Sequence, residues 1–119
     1  MNHHEKLNYV EFSAQDLPAT KAFFAAVFDW IFTDYGDSYT AFNNQGLDGG
    51  FYQADRSSSM HNNGALLIFY SEHLTATRNK ITDNNGVISQ DIFEFPGGFR
   101  FHFTEPSGNE FAVWSETAD

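Results

Sequence analysis

The sequence predicts an α+β fold made of two tandem units, each with one strand, one helix and three further strands. An alternating strand-like run followed by an amphipathic helical pattern occurs twice, at residues 7–28 and again after residue 64. Three short strand-like runs follow each helix. A polar segment rich in Ser and Asn, residues 55–63, predicts a linker. We therefore expect one domain over residues 1–119, with units at about residues 6–54 and 64–117.

The first unit begins with "LNYVEFSAQ", whose alternation predicts a strand over residues 7–14. Asp16 is a suitable N-cap for the following helix, and Pro18 is tolerated in a first turn. We expect this helix to end near Asp29. Its apolar face is predicted to contain Leu17, Phe24, Val27 and Phe28. The three strand-like runs after it are "WIFTDY", "SYTAFNN" and "LDGGFYQA".

The second unit repeats the first at an offset of 57 residues, which places "LPATK" on "LTATR". Its helix is expected from about Glu72. Its last three strands are predicted in "VISQDIFEF", "FRFHFTE" and "NEFAVWSE". Chance similarity between two strand-to-helix junctions is the alternative, and the identical order of elements favours the repeat.

Composition limits the classes of function. Sixteen acidic against six basic residues give a net charge of −10, which disfavours nucleic acid and anionic lipid as partners. No stretch reaches the roughly 20 apolar residues of a membrane span. The absence of cysteine removes disulfides and thiolate sites and is consistent with a cytoplasmic protein. His3 and His4 are an alternative metal-binding tract, in a terminus where we expect fraying.

The segment "TEPSGNE" predicts a tight hairpin, because Pro106 suits the second position of a turn and Gly108 accepts a left-handed conformation. Alternation gives each arm an apolar and a mixed face. The apolar face is predicted to hold Phe101, Phe103, Phe111 and Val113. The mixed face is predicted to hold Arg100, His102, Glu110, Ala112 and Trp114. The first strand divides likewise, with Tyr9, Glu11 and Ser13 opposite Val10, Phe12 and Ala14.

Two long segments resemble the vicinal oxygen chelate superfamily, which includes glyoxalase I, bleomycin-resistance proteins and extradiol dioxygenases. They are "NYVEFSAQDLPATKAFFAAVFDW" and "FRFHFTEPSGNEFAVW", the latter similar to the family's Asp-Pro-Asp-Gly-Asn turn. The resemblance implies incompletely closed, cupped mixed sheets around a cleft. It also implies a frequent homodimer and, in many members, a divalent metal.

The resemblance also maps the metal ligands of the family onto this chain. The ligand positions on the first strands of the two units correspond to Tyr9 and Leu66. The last ligand position corresponds to Ala112, and the remaining one to Asp48 or Gly50. Leu and Ala offer no donor atom, and divalent metals need several converging ligands. We therefore expect no metal and no cofactor, with a non-standard divalent metal site as the alternative.

By the strand orientation of the family, Glu11, His102 and Arg100 are expected to face one cavity. Glu11 and His102 are the candidate catalytic residues, for general acid and base work on a small acid or carbonyl compound. The candidate ligand-binding residues are Tyr9, Tyr39, Arg100 and Trp114. A plain Glu11–Arg100 ion pair with His102 as a wall residue, or a substitute metal site at Glu11 and His102, are the alternatives.

Two functions therefore follow from the sequence. The first is binding or sequestration of a small organic ligand, as in the bleomycin-resistance branch. The second is a lyase or isomerase of the glyoxalase type that uses Glu11 and His102.

"FEFPGGFRF" is expected to form a turn or a flexible lip, since Gly97 and Gly98 follow Pro96.

Overall fold

The computed structural model describes residues 2–119 and contains two α-helices, one short 3-10 helix in the linker (Met60–Asn62) and eight strands. The predicted order of one strand, one helix and three strands occurs twice, which confirms the predicted fold class. Within the described residues, no helix is long and apolar enough to cross a membrane. The elements are β1 (Tyr9–Ala14), α1 (Leu17–Phe28), β2 (Phe32–Asp34), β3 (Tyr39–Phe42), β4 (Asp48–Gln53), β5 (Leu67–Tyr70), α2 (Leu74–Asp83), β6 (Val87–Phe95), β7 (Gly98–Thr104) and β8 (Glu110–Ser115).

Each unit forms its own four-stranded mixed sheet. The strand orders are β1-β4-β3-β2 and β5-β8-β7-β6. The first strand of each unit pairs in parallel with the fourth, and the other neighbours are antiparallel. As a result β1 and β5 are edge strands, and neither sheet closes into a barrel.

Local sequence signals account for the ends of the helices. The Asp16 side chain accepts a hydrogen bond from the Ala19 amide at 3.1 Å, as an N-cap does. At the other end Asp29 is left-handed, with φ of 60°, and ends α1 where the sequence predicts. In the second unit α2 begins at Leu74, two residues after the predicted start at Glu72, because His73 is its N-cap.

Aromatic rings fill the core and join the two units. Phe24 of α1 stacks on Trp30 at a centroid distance of 4.5 Å and packs edge-on against Phe111 of β8 at 5.4 Å. Phe12 of β1 also lies 5.1 Å from Phe111. The face of β7 and β8 predicted to be apolar is buried, with Phe101, Phe103, Phe111 and Val113 at most 1% exposed. The middle of the mixed face, at His102, Glu110 and Ala112, is buried as well.

A buried polar cluster in the β7–β8 turn connects the units. The Asn109 side-chain amide donates to the Ser13 carbonyl of β1 and to the Glu105 carboxylate, both at 2.8 Å. Its oxygen accepts from the Ser58 amide at 2.8 Å. The Thr20 hydroxyl of α1 donates to Glu105 at 2.6 Å. The linker is therefore held against β8 through Ser58, and the turn is held against the β1–α1 junction.

Candidate functional site

The first sheet carries a cluster of two tyrosines and one carboxylate, which we call the tyrosine cluster. The Tyr39 hydroxyl donates to Glu11 Oε2 at 3.0 Å and lies 2.6 Å from the Tyr9 hydroxyl. Since the single Tyr39 proton points to Glu11, Tyr9 is the donor to Tyr39. Burial and then the bonds to Tyr9 and Glu11 raise the pKa of Tyr39, so its proton is firmly held.

The tyrosine cluster occupies the space above Gly50. Gly50 pairs with Glu11 in the parallel ladder and with Ala41 on the other side. A Cβ atom built on residue 50 would overlap the Tyr39 hydroxyl and approach the Tyr9 hydroxyl to 2.8 Å. The bare backbone at residue 50 therefore makes room for the two phenols.

The positions that the resemblance maps to metal ligands offer few donors. Leu66 and Ala112 have none, and Ala112 is fully buried. Asp48 is exposed, and its carboxylate accepts from the Asn44 amide at 3.3 Å. Among residues 2–119, no group of three or more His, Cys, Asp or Glu side chains converges as a metal site would require. The residues at these positions therefore do not fit the metal of the family.

The second sheet carries a chain of charged and polar groups, which we call the arginine cluster. Arg100 Nη2 and Nε lie 2.9 and 3.2 Å from His102 Nε2. His102 Nδ1 faces Glu110 Oε2 at 3.7 Å. Glu110 accepts from the Met60 amide at 2.9 Å and from the Ser89 hydroxyl at 3.0 Å. The chain runs from the linker, through β8 and β7, to the guanidinium of Arg100.

The contacts determine the state of His102. Because a guanidinium only donates, Nε2 accepts and the imidazole proton lies on Nδ1, towards Glu110. Burial and the Arg100 charge lower the pKa of His102, and they outweigh the opposing influence of Glu110. Burial raises the pKa of Glu110, but the bonds from Met60 and Ser89 outweigh it and leave that pKa lowered. A neutral His102 therefore orients Arg100.

The guanidinium of Arg100 opens into an aromatic pocket of about 400 Å³, which we call the Arg100 pocket. Its carbon Cζ lies 5.7 Å from the ring centroids of both Phe93 and Phe95, at cation–π distance. Among residues 2–119, no carboxylate forms an ion pair with Arg100. The lining residues are Ile68, Phe95, Pro96, Gly97, Arg100 and Trp114.

The structure groups the predicted site residues in two separate clusters. Tyr9, Glu11 and Tyr39 lie together on the first sheet, and Glu11 lines a pocket of about 530 Å³ together with Arg56. Arg100 and Trp114 lie together on the second sheet. His102 joins neither pocket, because it is 3% exposed and lies beneath Arg100. The assignment of Glu11 and His102 as a catalytic pair stays a prediction.

Sequence reasoning missed Phe93 as a partner of Arg100. Phe93 pairs with Arg100 across β6 and β7, and Gln90 pairs with His102, two residues along β7. Between these two pairs the chain advances three residues along β6 but only two along β7, because the register shifts between Gln90 and Phe93. Strict alternation places Gln90 and Phe93 on opposite faces, so no parity signal could have identified Phe93. The segment Pro96–Gly97 forms the β6–β7 turn at the rim of the Arg100 pocket.

Known structures share this architecture at low sequence identity. A glyoxalase-related enzyme from Fulvimarina pelagi superposes with a TM-score of 0.78 at 12% identity, over 93% of this chain and 88% of that one. FosX, a fosfomycin resistance protein from Listeria monocytogenes, gives 0.77 at 16%, over 95% and 94%. Lactoylglutathione lyase from Agrobacterium tumefaciens gives 0.68 at 17%, over 93% of both chains. At these identities the likeness shows the fold alone.

Sequence comparison gives the family. No curated protein sequence matches the chain significantly. The profile of the Glyoxalase/Bleomycin resistance protein/Dioxygenase superfamily matches residues 6–113, which covers both units and both clusters. The resemblance inferred from the two quoted segments is thereby confirmed, and the chain belongs to the Glyoxalase/Bleomycin resistance protein/Dioxygenase superfamily.

Proposed function

We propose that this protein binds a small organic carboxylate at the Arg100 pocket, without a metal ion. The observation that carries the proposal is the guanidinium of Arg100. It is half-buried against two aromatic rings, fixed by His102, and has no carboxylate partner within residues 2–119. A guanidinium held in this way is pre-organised for charge-assisted hydrogen bonds to an anion.

Arg100 differs from the other five basic side chains, of which Lys6 and Lys80 are exposed. Lys21 and Arg78 form ion pairs with Asp34 and Asp91. Arg56 is exposed and stacks on the Tyr52 ring at 5.7 Å. On a chain with a net charge of −10, an unpaired cation in an aromatic pocket provides local attraction for an anion. Trp114 and Phe95 supply apolar walls for the body of the ligand.

The proposal of a metal-free site rests on donor chemistry. Leu66 and Ala112 contribute no side-chain donor, and the remaining position is Asp48, which is exposed, or Gly50, which has no side chain. The Tyr9 hydroxyl bonds to that of Tyr39, which in turn bonds to Glu11. The alternative is a lyase or isomerase that uses Glu11 and His102. We favour binding because both ring nitrogens of His102 face protein groups, Arg100 and Glu110.

Isothermal titration calorimetry with benzoate tests the proposal. Benzoate combines a flat ring with one carboxylate, and it should bind in a 1:1 ratio whether or not EDTA is present. Arg100→Gln should weaken binding by about tenfold or more, since a charged hydrogen bond contributes roughly 1.5–3 kcal/mol. Arg78→Gln removes an equal charge from an exposed pair with Asp91 and serves as the matched control.

Absent binding, or an unaffected Arg100→Gln variant, would refute the proposal. Loss of binding in EDTA would refute its metal-free part.

We also propose a homodimer in the cytoplasm. Large apolar side chains at 65% exposure or more include Leu7, Ile31 and Tyr35, which offer surface for a second copy. The lack of cysteine is consistent with a reducing compartment. Light scattering at micromolar concentrations tests the dimer, and a monomer throughout that range would contradict it.

A further inference from the structure

We propose that the ligand is an elongated monocarboxylic acid whose apolar body extends from the Arg100 pocket into a second, apolar pocket between the edge strands β1 and β5. This inference rests on the proposed carboxylate-binding function. It adds the class of ligand and a second place of contact.

The apolar pocket lies where the two sheets approach each other, and its volume is about 460 Å³. This volume falls within the range of sites for small organic molecules. Its lining residues come from β1, the α1–β2 loop, β3, the loop before β4, β5 and β8, and none of them is charged. Those that form its apolar walls include Val10, Trp30, Phe42, Leu47, Leu67 and Phe111.

The apolar pocket and the Arg100 pocket lie next to each other along β5. Ile68 lines both of them. Tyr70, which lines the apolar pocket, packs edge-on against Trp114 of the Arg100 pocket at a centroid distance of 5.0 Å. Ile68 and Tyr70 are 45% and 50% exposed, although both are large and apolar. A ligand that crosses this surface would cover them and gain hydrophobic stabilisation.

The distribution of charge restricts the ligand to one carboxylate at one end. Arg100 is the single charged residue among those that line the two pockets. A second charge on the ligand would therefore enter an apolar surface without a partner, which is costly. The Tyr70 hydroxyl already donates to Glu116 at 2.6 Å. A dicarboxylate or a phosphorylated sugar does not suit these two pockets, whereas an alkyl or aryl-alkyl monocarboxylate does.

Calorimetry with butanoate, hexanoate, octanoate and decanoate, each below its micelle concentration, tests the inference. Each added methylene should raise the affinity by about fourfold, the equivalent of roughly 0.8 kcal/mol, until the apolar pocket is filled. Octan-1-ol should bind at least about tenfold more weakly than octanoate, because it has no carboxylate for Arg100.

A pair of variants locates the alkyl chain. Leu47→Asp places a carboxylate at the apolar pocket and leaves the Arg100 pocket intact. It should abolish the rise in affinity with chain length and leave benzoate binding unchanged. Val87→Asp adds the same charge at a 62% exposed position that lines neither pocket, and it should behave as the unsubstituted protein does. Circular dichroism of both variants checks the fold.

The outcomes separate the two proposals. If neither benzoate nor any alkanoate binds, the carboxylate-binding function is wrong and the inference fails with it. If benzoate binds but affinity does not rise with chain length, the function stands and the inference is overturned. A rise that persists in Leu47→Asp also overturns it, because the alkyl chain then lies elsewhere. Octan-1-ol that binds as tightly as octanoate would refute the part assigned to Arg100.

Discussion

Replacement of Asn109 by Ala should destabilise the protein severely without removing any apolar core side chain. Asn109 is fully buried and its side chain makes three hydrogen bonds of 2.8 Å, to Ser13, Ser58 and Glu105. In the alanine variant the Ser13 carbonyl, the Ser58 amide and the Glu105 carboxylate each lose their hydrogen bond to this side chain. The three groups belong to β1, the linker and the β7–β8 turn, so the loss affects the connection between the units.

The expected size of the effect follows from these bonds. A neutral hydrogen bond contributes roughly 0.5–1.5 kcal/mol net, and one to a charged group roughly 1.5–3 kcal/mol. Two neutral bonds and one to the Glu105 carboxylate therefore predict a loss of about 2.5–6 kcal/mol. That is a large share of the total for a domain of this size, typically about 5–15 kcal/mol.

Urea unfolding followed by far-ultraviolet circular dichroism measures the loss. Asn79→Ala is the matched control, because Asn79 is an exposed residue of α2 whose side chain makes no hydrogen bond within residues 2–119. The control should change the free energy of unfolding by less than about 0.5 kcal/mol. A folded Asn109→Ala variant that loses less than about 1 kcal/mol would refute the reasoning that these bonds join the units.

Three further predictions concern the candidate site. Elemental analysis of protein purified without a tag should find no near-stoichiometric Zn, Ni, Fe or Mn, because Leu66 and Ala112 offer no ligand; a stoichiometric metal would contradict this. Gly50→Ala should cost about 1–3 kcal/mol in urea unfolding, since its Cβ overlaps the Tyr39 hydroxyl and ring carbon Cζ, and Tyr39→Phe should restore only part of the loss because it removes the hydroxyl and keeps Cζ; a neutral Gly50→Ala contradicts the geometry. The pKa of His102 is lowered in the folded protein, so the unfolded chain takes up this proton first as the pH falls. The contribution of His102 to the free energy of unfolding is therefore full above pH 6.5 and decreases below it. His102→Gln should flatten this part of the plot of unfolding free energy against pH, and an unchanged plot would contradict the assignment.

Alternation of side chains along the strands predicted most of the fold correctly. The rings on the apolar faces of β1, β7 and β8 are buried as expected, because these faces form the core between the sheets and the helices. Alternation did not predict that His102, Glu110 and Ala112, on the mixed face, are buried as well. The helix ends at Asp16 and Asp29 follow from local capping chemistry, which needs no tertiary information. Leu7 was included in the first strand but is 91% exposed and lies before β1.

The contacts of the candidate site were harder to predict, because they run between rows of the sheet. Tyr39 opposes Tyr52 in the ladder, yet its hydroxyl reaches the neighbouring row to lie over Gly50 and bond to Glu11. Alternation gives the face of a side chain and says nothing of its reach along that face. The alternation pattern therefore cannot predict the contacts that long side chains make through their terminal polar atoms.

The buried polar groups of the second unit follow the same principle. Glu110 was expected on the mixed face, and it is buried there because the Met60 amide of the linker and the Ser89 hydroxyl of β6 satisfy its oxygens. A segment that composition predicts to be an exposed linker thus supplies a donor to the arginine cluster. Since Glu110 faces His102 and His102 orients Arg100, the linker is coupled to the proposed carboxylate site through three successive side chains. Met60→Pro, which removes this backbone donor, should therefore weaken benzoate binding at the proposed site, and an unchanged affinity in calorimetry would contradict the coupling.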